Sequence, residues 1–78
     1  MARVFRLTPS ARKSARRHLR GVACPEVLIA DAIDAGRVEP GRNATDLIVD
    51  LGSALAYVER DAHDIHHVFS IRKGKEVH

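Results

Sequence analysis

Residues 7–21 read LTPSARKSARRHLRG, and this stretch predicts a short helix with both ends marked. Thr8 suits the N-cap, because its hydroxyl can accept from an otherwise unpartnered backbone N–H. Pro9 suits the first helical position, where a missing N–H is harmless. Gly21 can take the left-handed conformation that closes a helix. Between them Ala11, Ala15 and Leu19 recur every four residues and form a narrow apolar stripe, continued by Val22. Arg12, Arg16 and Arg20 form a second stripe, flanked by Lys13 and Arg17. Small side chains allow this helix to lie close to whatever it packs on, while its outer face presents a row of cations.

The rest of the chain arranges itself around that helix. Val4–Leu7 (VFRL) is a β-prone run that alternates Val4 and Arg6 with Phe5 and Leu7. Pro25 and Glu26 open a second helix, stopped by Gly36, with Val27, Leu28, Ala32 and Ala35 on its apolar face, Ile29 and Ile33 beside them, and Asp31 and Asp34 in water. Pro40-Gly41 marks a turn. Thereafter the pattern changes to strands. Ala44 to Leu51 sets Leu47, Val49 and Leu51 against Asp46, Ile48 and Asp50. A reversal at Gly52-Ser53 leads into Ala54 to Arg60, and a turn at residues 61–64 leads into Ile65 to Arg72. In this last strand, alternation places Ile65, His67, Phe69 and Ile71 on one face and His66, Val68, Ser70 and Arg72 on the other. The expected order is β-α-α-β-β-β, an α+β fold with two N-terminal helices packed on one face of a small antiparallel sheet. The other sheet face is left uncovered, and a small domain can hold a site there.

Seventy-eight residues make one domain, residues 1–78, with a thin core, since a chain this size buries only about 60–65% of its unfolded surface. With 45% hydrophobic and 29% charged residues, the composition is that of a folded chain rather than a disordered one. The net charge of +3 conceals an asymmetry: residues 1–20 hold seven Arg or Lys and no acid, and residues 21–78 hold six against ten Asp or Glu. A basic end on an acidic body points to a polyanion or an acidic partner, against the plainer reading of a solvated basic helix. Cys24 is the sole cysteine, which excludes an internal disulfide, makes a reducing compartment the default and fits a small half-buried side chain. No apolar run approaches the roughly 20 residues of a membrane span. Pro25, Glu26 and Asp31 interrupt the apolar stretch that would make the basic start a secretory signal, so a cytoplasmic location is expected. The thin core and exposed strand edges make a homodimer an expectation.

Phosphate loops, paired cysteines, nucleophile elbows and carboxylate clusters with metal spacing are all missing from the sequence. His63, His66 and His67 come nearest to a metal set, yet neighbouring strand residues point to opposite faces, and no metal or other cofactor is expected. What remains is metal-free phosphate chemistry. The 2′-hydroxyl of RNA cuts its own strand when a base removes its proton and cations stabilise the phosphate, which needs a group titrating near neutrality and one or two fixed cations. His66 or His67 with Arg60 and Arg72 are the candidate catalytic residues. Arg12, Lys13, Arg16, Arg17, Arg20, Lys73 and Lys75 are the candidate contacts for nucleic acid or a partner. The competing reading makes His66, His67, Arg60, Arg72, Lys73 and Lys75 ordinary edge-strand and tail polar residues.

The segments VFRLTPSARKSARRHL and IHHVFSIRKGKEV resemble the opening strand and helix and the last strand of the RelE/ParE toxin superfamily. ACPEVLIADAIDAGRVEPG between them is similar to small uncharacterised relatives within the barnase–EndoU–colicin–RelE fold. The resemblance follows nearly the whole chain as an order of elements and has no diagnostic fingerprint. It implies one of two activities. RelE-like members cleave ribosome-bound mRNA with basic and aromatic residues on the open sheet face and near the C-terminus, whereas ParE-like members poison DNA gyrase. Both are neutralised by a cognate antitoxin. Arg72 matches the basic residue near the end of the last strand, and Lys73 and Lys75 match the basic tail loosely. The C-terminal aromatic of the ribonuclease branch has no counterpart. The resulting expectation is a toxin-like, metal-independent endoribonuclease of a toxin–antitoxin or mobile-element system, bacterial or phage, acting on RNA or at the ribosome. The alternative is a non-catalytic binding protein of the same fold, a gyrase-type poison or small inhibitor, that sets its basic first helix against an acidic partner.

Overall fold

The computed structural model describes residues 4–74. Its elements are β1 (Val4–Leu7), α1 (Pro9–His18), α2 (Pro25–Asp34), β2 (Val38–Pro40), β3 (Asp46–Asp50), β4 (Ala54–Arg60) and β5 (Ile65–Lys73). The strands form one sheet in the order β1-β5-β4-β3-β2. The α+β class and the two leading helices are as expected. Two details differ from the expected antiparallel sheet: Val38–Pro40 is a further short strand beside β3, and β1 joins β5 in parallel, so the sheet is mixed rather than antiparallel throughout.

Local chemistry accounts for α1. Thr8 Oγ1 accepts a hydrogen bond from the Ala11 N–H at 3.1 Å, Pro9 fills the first turn, and Gly21 turns the chain away at φ 81°, a conformation that glycine adopts without strain. Ala11 and Ala15 are fully or almost fully buried, with Leu19 beside them. Two alanines on that stripe leave no bulk between α1 and β5, so the helix lies directly on the strand. The Thr8 N–H donates to the Val68 carbonyl at 3.1 Å, which pins the start of α1 to β5 as well. In α2, Ile29 and Ala32 reach the core, and Leu28 and Ile33 pack against it. Val27 and Ala35 are exposed, so the apolar face is narrower than the sequence pattern implies, because the helix meets the sheet along one stripe only. Cys24, at the N-cap of α2, is exposed rather than half-buried.

Val49, Ala54, Ala56, Val58, Val68 and Ile71 supply the sheet side of the core. Both helices lie on this face, and the opposite face is open. At Tyr57/Val58 the β4–β5 register shifts: Tyr57 pairs with Ser70, and Val58 with Val68. Phe69 is the extra residue of a β-bulge, which changes the strand's phase. The inward side chains of β5 are therefore His66, Val68 and Ile71, and Ile71 no longer shares a face with His67 as plain alternation requires. No helix among the described residues is long and apolar enough to cross a membrane.

Candidate functional site

The β4–β5 hairpin carries the most organised polar group. Asp61 Oδ1 accepts from the backbone N–H groups of His63 (2.8 Å) and Ile65 (3.1 Å), and Asp64 sits at φ 60° to complete the turn. Asp tolerates this backbone better than most residues and suits such turns. The second carboxylate oxygen of Asp61, Oδ2, lies 2.8 Å from His67 Nε2. These bonds, that to His67 first, hold the Asp61 pKa at about 2, below its usual 3.8. Asp61 is therefore ionised at neutral pH and can only accept, so His67 donates through Nε2–H and its Nδ1 carries the lone pair.

The sheet register identifies the neighbours of His67. Arg6 of β1 lies directly beside it, and Glu59 of β4 lies on its other side, followed by Asp46 of β3. Arg6 is exposed, and its strand neighbours Phe5 and Leu7 pack against the core, which sends Arg6 to the open face. With neighbouring strands about 4.8 Å apart, a guanidinium, an imidazole and a carboxylate stand in one row across the sheet.

One row further along is an open groove of about 650 Å³ lined by residues that include Arg42, Asp46, Tyr57, Phe69, Ser70 and Arg72. The Tyr57 and Phe69 rings are 6.5 Å apart between centroids, and the Arg72 guanidinium carbon lies 5.2 Å from the Tyr57 ring centre. Arg72 Nε also donates to Ser70 Oγ at 3.4 Å.

These positions separate the candidate residues into groups. His66 is buried at 6% exposure, with its ring 4.9 Å from that of Phe5, so it belongs to the core side. Arg60 pairs in register with His66 and lies 3.8 Å from Asp64 across solvent, away from His67. Arg72 is on the open face, opposite Leu55 and so four β4 residues from the Glu59–His67 pair, about 13 Å of strand at 3.3 Å per residue, and its guanidinium lies over the Tyr57 ring. Lys73 is exposed at the end of β5, and Lys75 lies outside the described residues.

Arg12, Lys13, Arg16 and Arg17 are exposed on α1, and Arg20 is exposed in the turn beyond it, because the helix ends at His18 rather than running to Gly21. Among the described residues none of the five forms an ion pair. They line the side of the molecule opposite His67, because α1 covers the inner face of the sheet. A shallow cleft of about 190 Å³ runs between Arg12 and Arg16 on the helix and Val22, Ala23 and Pro25 on the following connector.

Asp61, Arg6, Tyr57 and Phe69 join the site without a mark in the sequence pattern that assigns them there. The turn pattern around residues 61–64 was a signal for Asp61, whereas no local signal exists for Arg6, which meets His67 across almost the whole chain. No protein family, characterised protein or solved structure matches the chain at a significant level, so the chemistry of the site stands on its own residues.

Proposed function

We propose that this protein is a toxin-like, metal-independent endoribonuclease of the RelE/ParE type, and that it cuts RNA on the open sheet face. The observation that carries the reading is His67 on that face, with its tautomer set by ionised Asp61 at 2.8 Å. His67 Nδ1 takes the proton of a ribose 2′-hydroxyl. The 2′-oxygen then forms its bond to phosphorus as the bond to the 5′-oxygen breaks, and that oxygen leaves with a proton from water. The products are a 2′,3′-cyclic phosphate and a 5′-hydroxyl. Arg6 supplies the nearby cation for the charged phosphate, in the role that the sequence assigned to Arg60. Arg72 contacts the strand further along. The element order implied by the family resemblance agrees with this reading.

Induced expression of the wild type beside His67→Gln tests it in cells. Growth arrest with fragmentation of total RNA, both lost in the variant, is the expected result. Arrest with intact RNA overturns it.

A second reading is favoured by one observation: the α1 cations and His67 lie on opposite sides. An RNA in the sheet site reaches α1 only by passing around an edge, which leaves the helix available to an acidic protein. In that reading the chain is a non-catalytic binder, and Arg16→Glu abolishes its effect on growth whereas His67→Gln does not.

A further inference from the structure

The groove beside His67 has features that proton transfer does not use. Phe69 is 44% exposed because the bulge expels it from the ladder, and an exposed ring beside Tyr57 is a surface on which an unpaired base can stack. Arg42 and Arg72 stand at the rim of the same groove. Their charge suits the phosphates on either side of such a base. Asp46 brings a carboxylate into the groove. Among the described residues its Oδ2 accepts only from Asn43, at 3.3 Å, and each carboxylate oxygen has two acceptor positions.

We propose that this groove is a base-recognition subsite for single-stranded RNA, in which one unpaired guanine stacks on Phe69 and is read by Asp46. The inference rests on the reading of the open face as an RNA-cutting site. Guanine alone presents two adjacent donors, N1–H and the 2-amino group, along one edge. That edge matches a carboxylate. Adenine and cytosine each place an acceptor beside their amino group, and uracil flanks its single N–H with two carbonyls, so all three set a lone pair against Asp46. The position also fits the chemistry. The Tyr57–Ser70 row is two residues along the sheet from the Glu59–His67 row on β4, about 7 Å at strand spacing. A base held in the groove therefore places one of its two flanking phosphates within reach of His67, about two residues along the sheet.

Tyr57 is the only tyrosine and the chain has no tryptophan, so its ring signal reports the groove directly. The experiment titrates His67→Gln protein with guanosine, adenosine, cytidine and uridine 3′-monophosphates and follows the Tyr57 ring resonances by NMR. Guanosine monophosphate is expected to bind about tenfold tighter than the uridine form. Phe69→Ala should weaken all four about tenfold, and Asp46→Asn should remove the preference while leaving stacking in place. Thermal unfolding confirms that both variants remain folded. Equal binding of all four nucleotides, or no movement of Tyr57 up to millimolar nucleotide, overturns the proposal. Selective guanosine binding to a wild-type protein that fails to cut RNA would leave the subsite standing and remove the nuclease reading.

Discussion

Asp61 and His67 are joined side chain to side chain, with 2.8 Å between Oδ2 and Nε2. The same carboxylate ties down the turn through the backbone N–H groups of His63 and Ile65. One residue thus fixes the hairpin and orients the imidazole. Removing Asp61 should affect both. Asp61→Asn keeps the size and an acceptor oxygen but has no charge to favour the Nε2–H tautomer. Cleavage should fall and its pH profile should move, while His67→Gln loses activity by about 10²–10⁴-fold at every pH. Initial rates on a labelled RNA between pH 5 and 9 separate the two. An unchanged profile in Asp61→Asn would contradict the positioning role.

The low pKa of Asp61 makes the fold acid-sensitive in a defined window. A carboxyl group at about 2 in the native state and 3.8 ordinarily favours folding fully above pH 4. That contribution is lost as the pH falls from 3.8 towards 2. Acid titration followed by circular dichroism should show the transition of Asp61→Asn flattened across this window relative to wild type, since the variant has no carboxylate to protonate there.

Substitutions in the core should be severe for so small a domain. Ile29 is fully buried and joins α2 to the sheet, so Ile29→Ala should cost about 2–5 kcal/mol. That is a large share of the roughly 4–12 kcal/mol expected for a domain of this length. Ala11→Leu inserts bulk where α1 lies against β5 and should cost about 1–3 kcal/mol. Thr8→Ala removes the N-cap bond and should cost about 1 kcal/mol. Urea unfolding measures all three. A neutral Ala11→Leu would mean that α1 does not lie directly on the sheet.

The sequence made the fold class legible because its signals there are local. Thr8, Pro9 and Gly21 mark α1, and the alternation in residues 46–51 and 54–60 marks β3 and β4. The phase of β5 was less legible. A bulge at Phe69 leaves no composition signal, so plain alternation placed Ile71 with His67, when Ile71 is in the core and His67 is at the surface. β2 was hidden by its three residues and by Pro40, which reads as a turn. The site was legible in type but not in membership. A histidine–arginine pairing was expected on the last strand, yet the arginine beside His67 is Arg6, brought there by parallel pairing of the first and last strands.

Gly41 bears on the shape of the groove. A Cβ at this position would lie 2.5 Å from the Cβ of Asp46, closer than real side chains approach. Gly41→Ala should displace Asp46 and weaken binding of guanosine 3′-monophosphate, with a smaller effect on stability than Ile29→Ala. Binding equal to that of wild type would show that Asp46 does not need its present place.

The α1 cations make a prediction of their own. If RNA reaches α1, replacing Arg12, Arg16 and Arg20 by alanine should reduce the slope of log affinity against log salt by about 0.7 per arginine for a single strand. An unchanged slope places the helix outside the RNA interface and leaves it for an acidic protein partner.

The most direct measurement is cleavage of a labelled single-stranded RNA by purified protein in the presence of EDTA, comparing wild type, His67→Gln and His66→Gln. The wild type should give fragments ending in 2′,3′-cyclic phosphate, His67→Gln should lose about 10²–10⁴ in rate, and the folded fraction of His66→Gln should retain activity. Cleavage by His67→Gln at the wild-type rate, or none by the wild type, would contradict it.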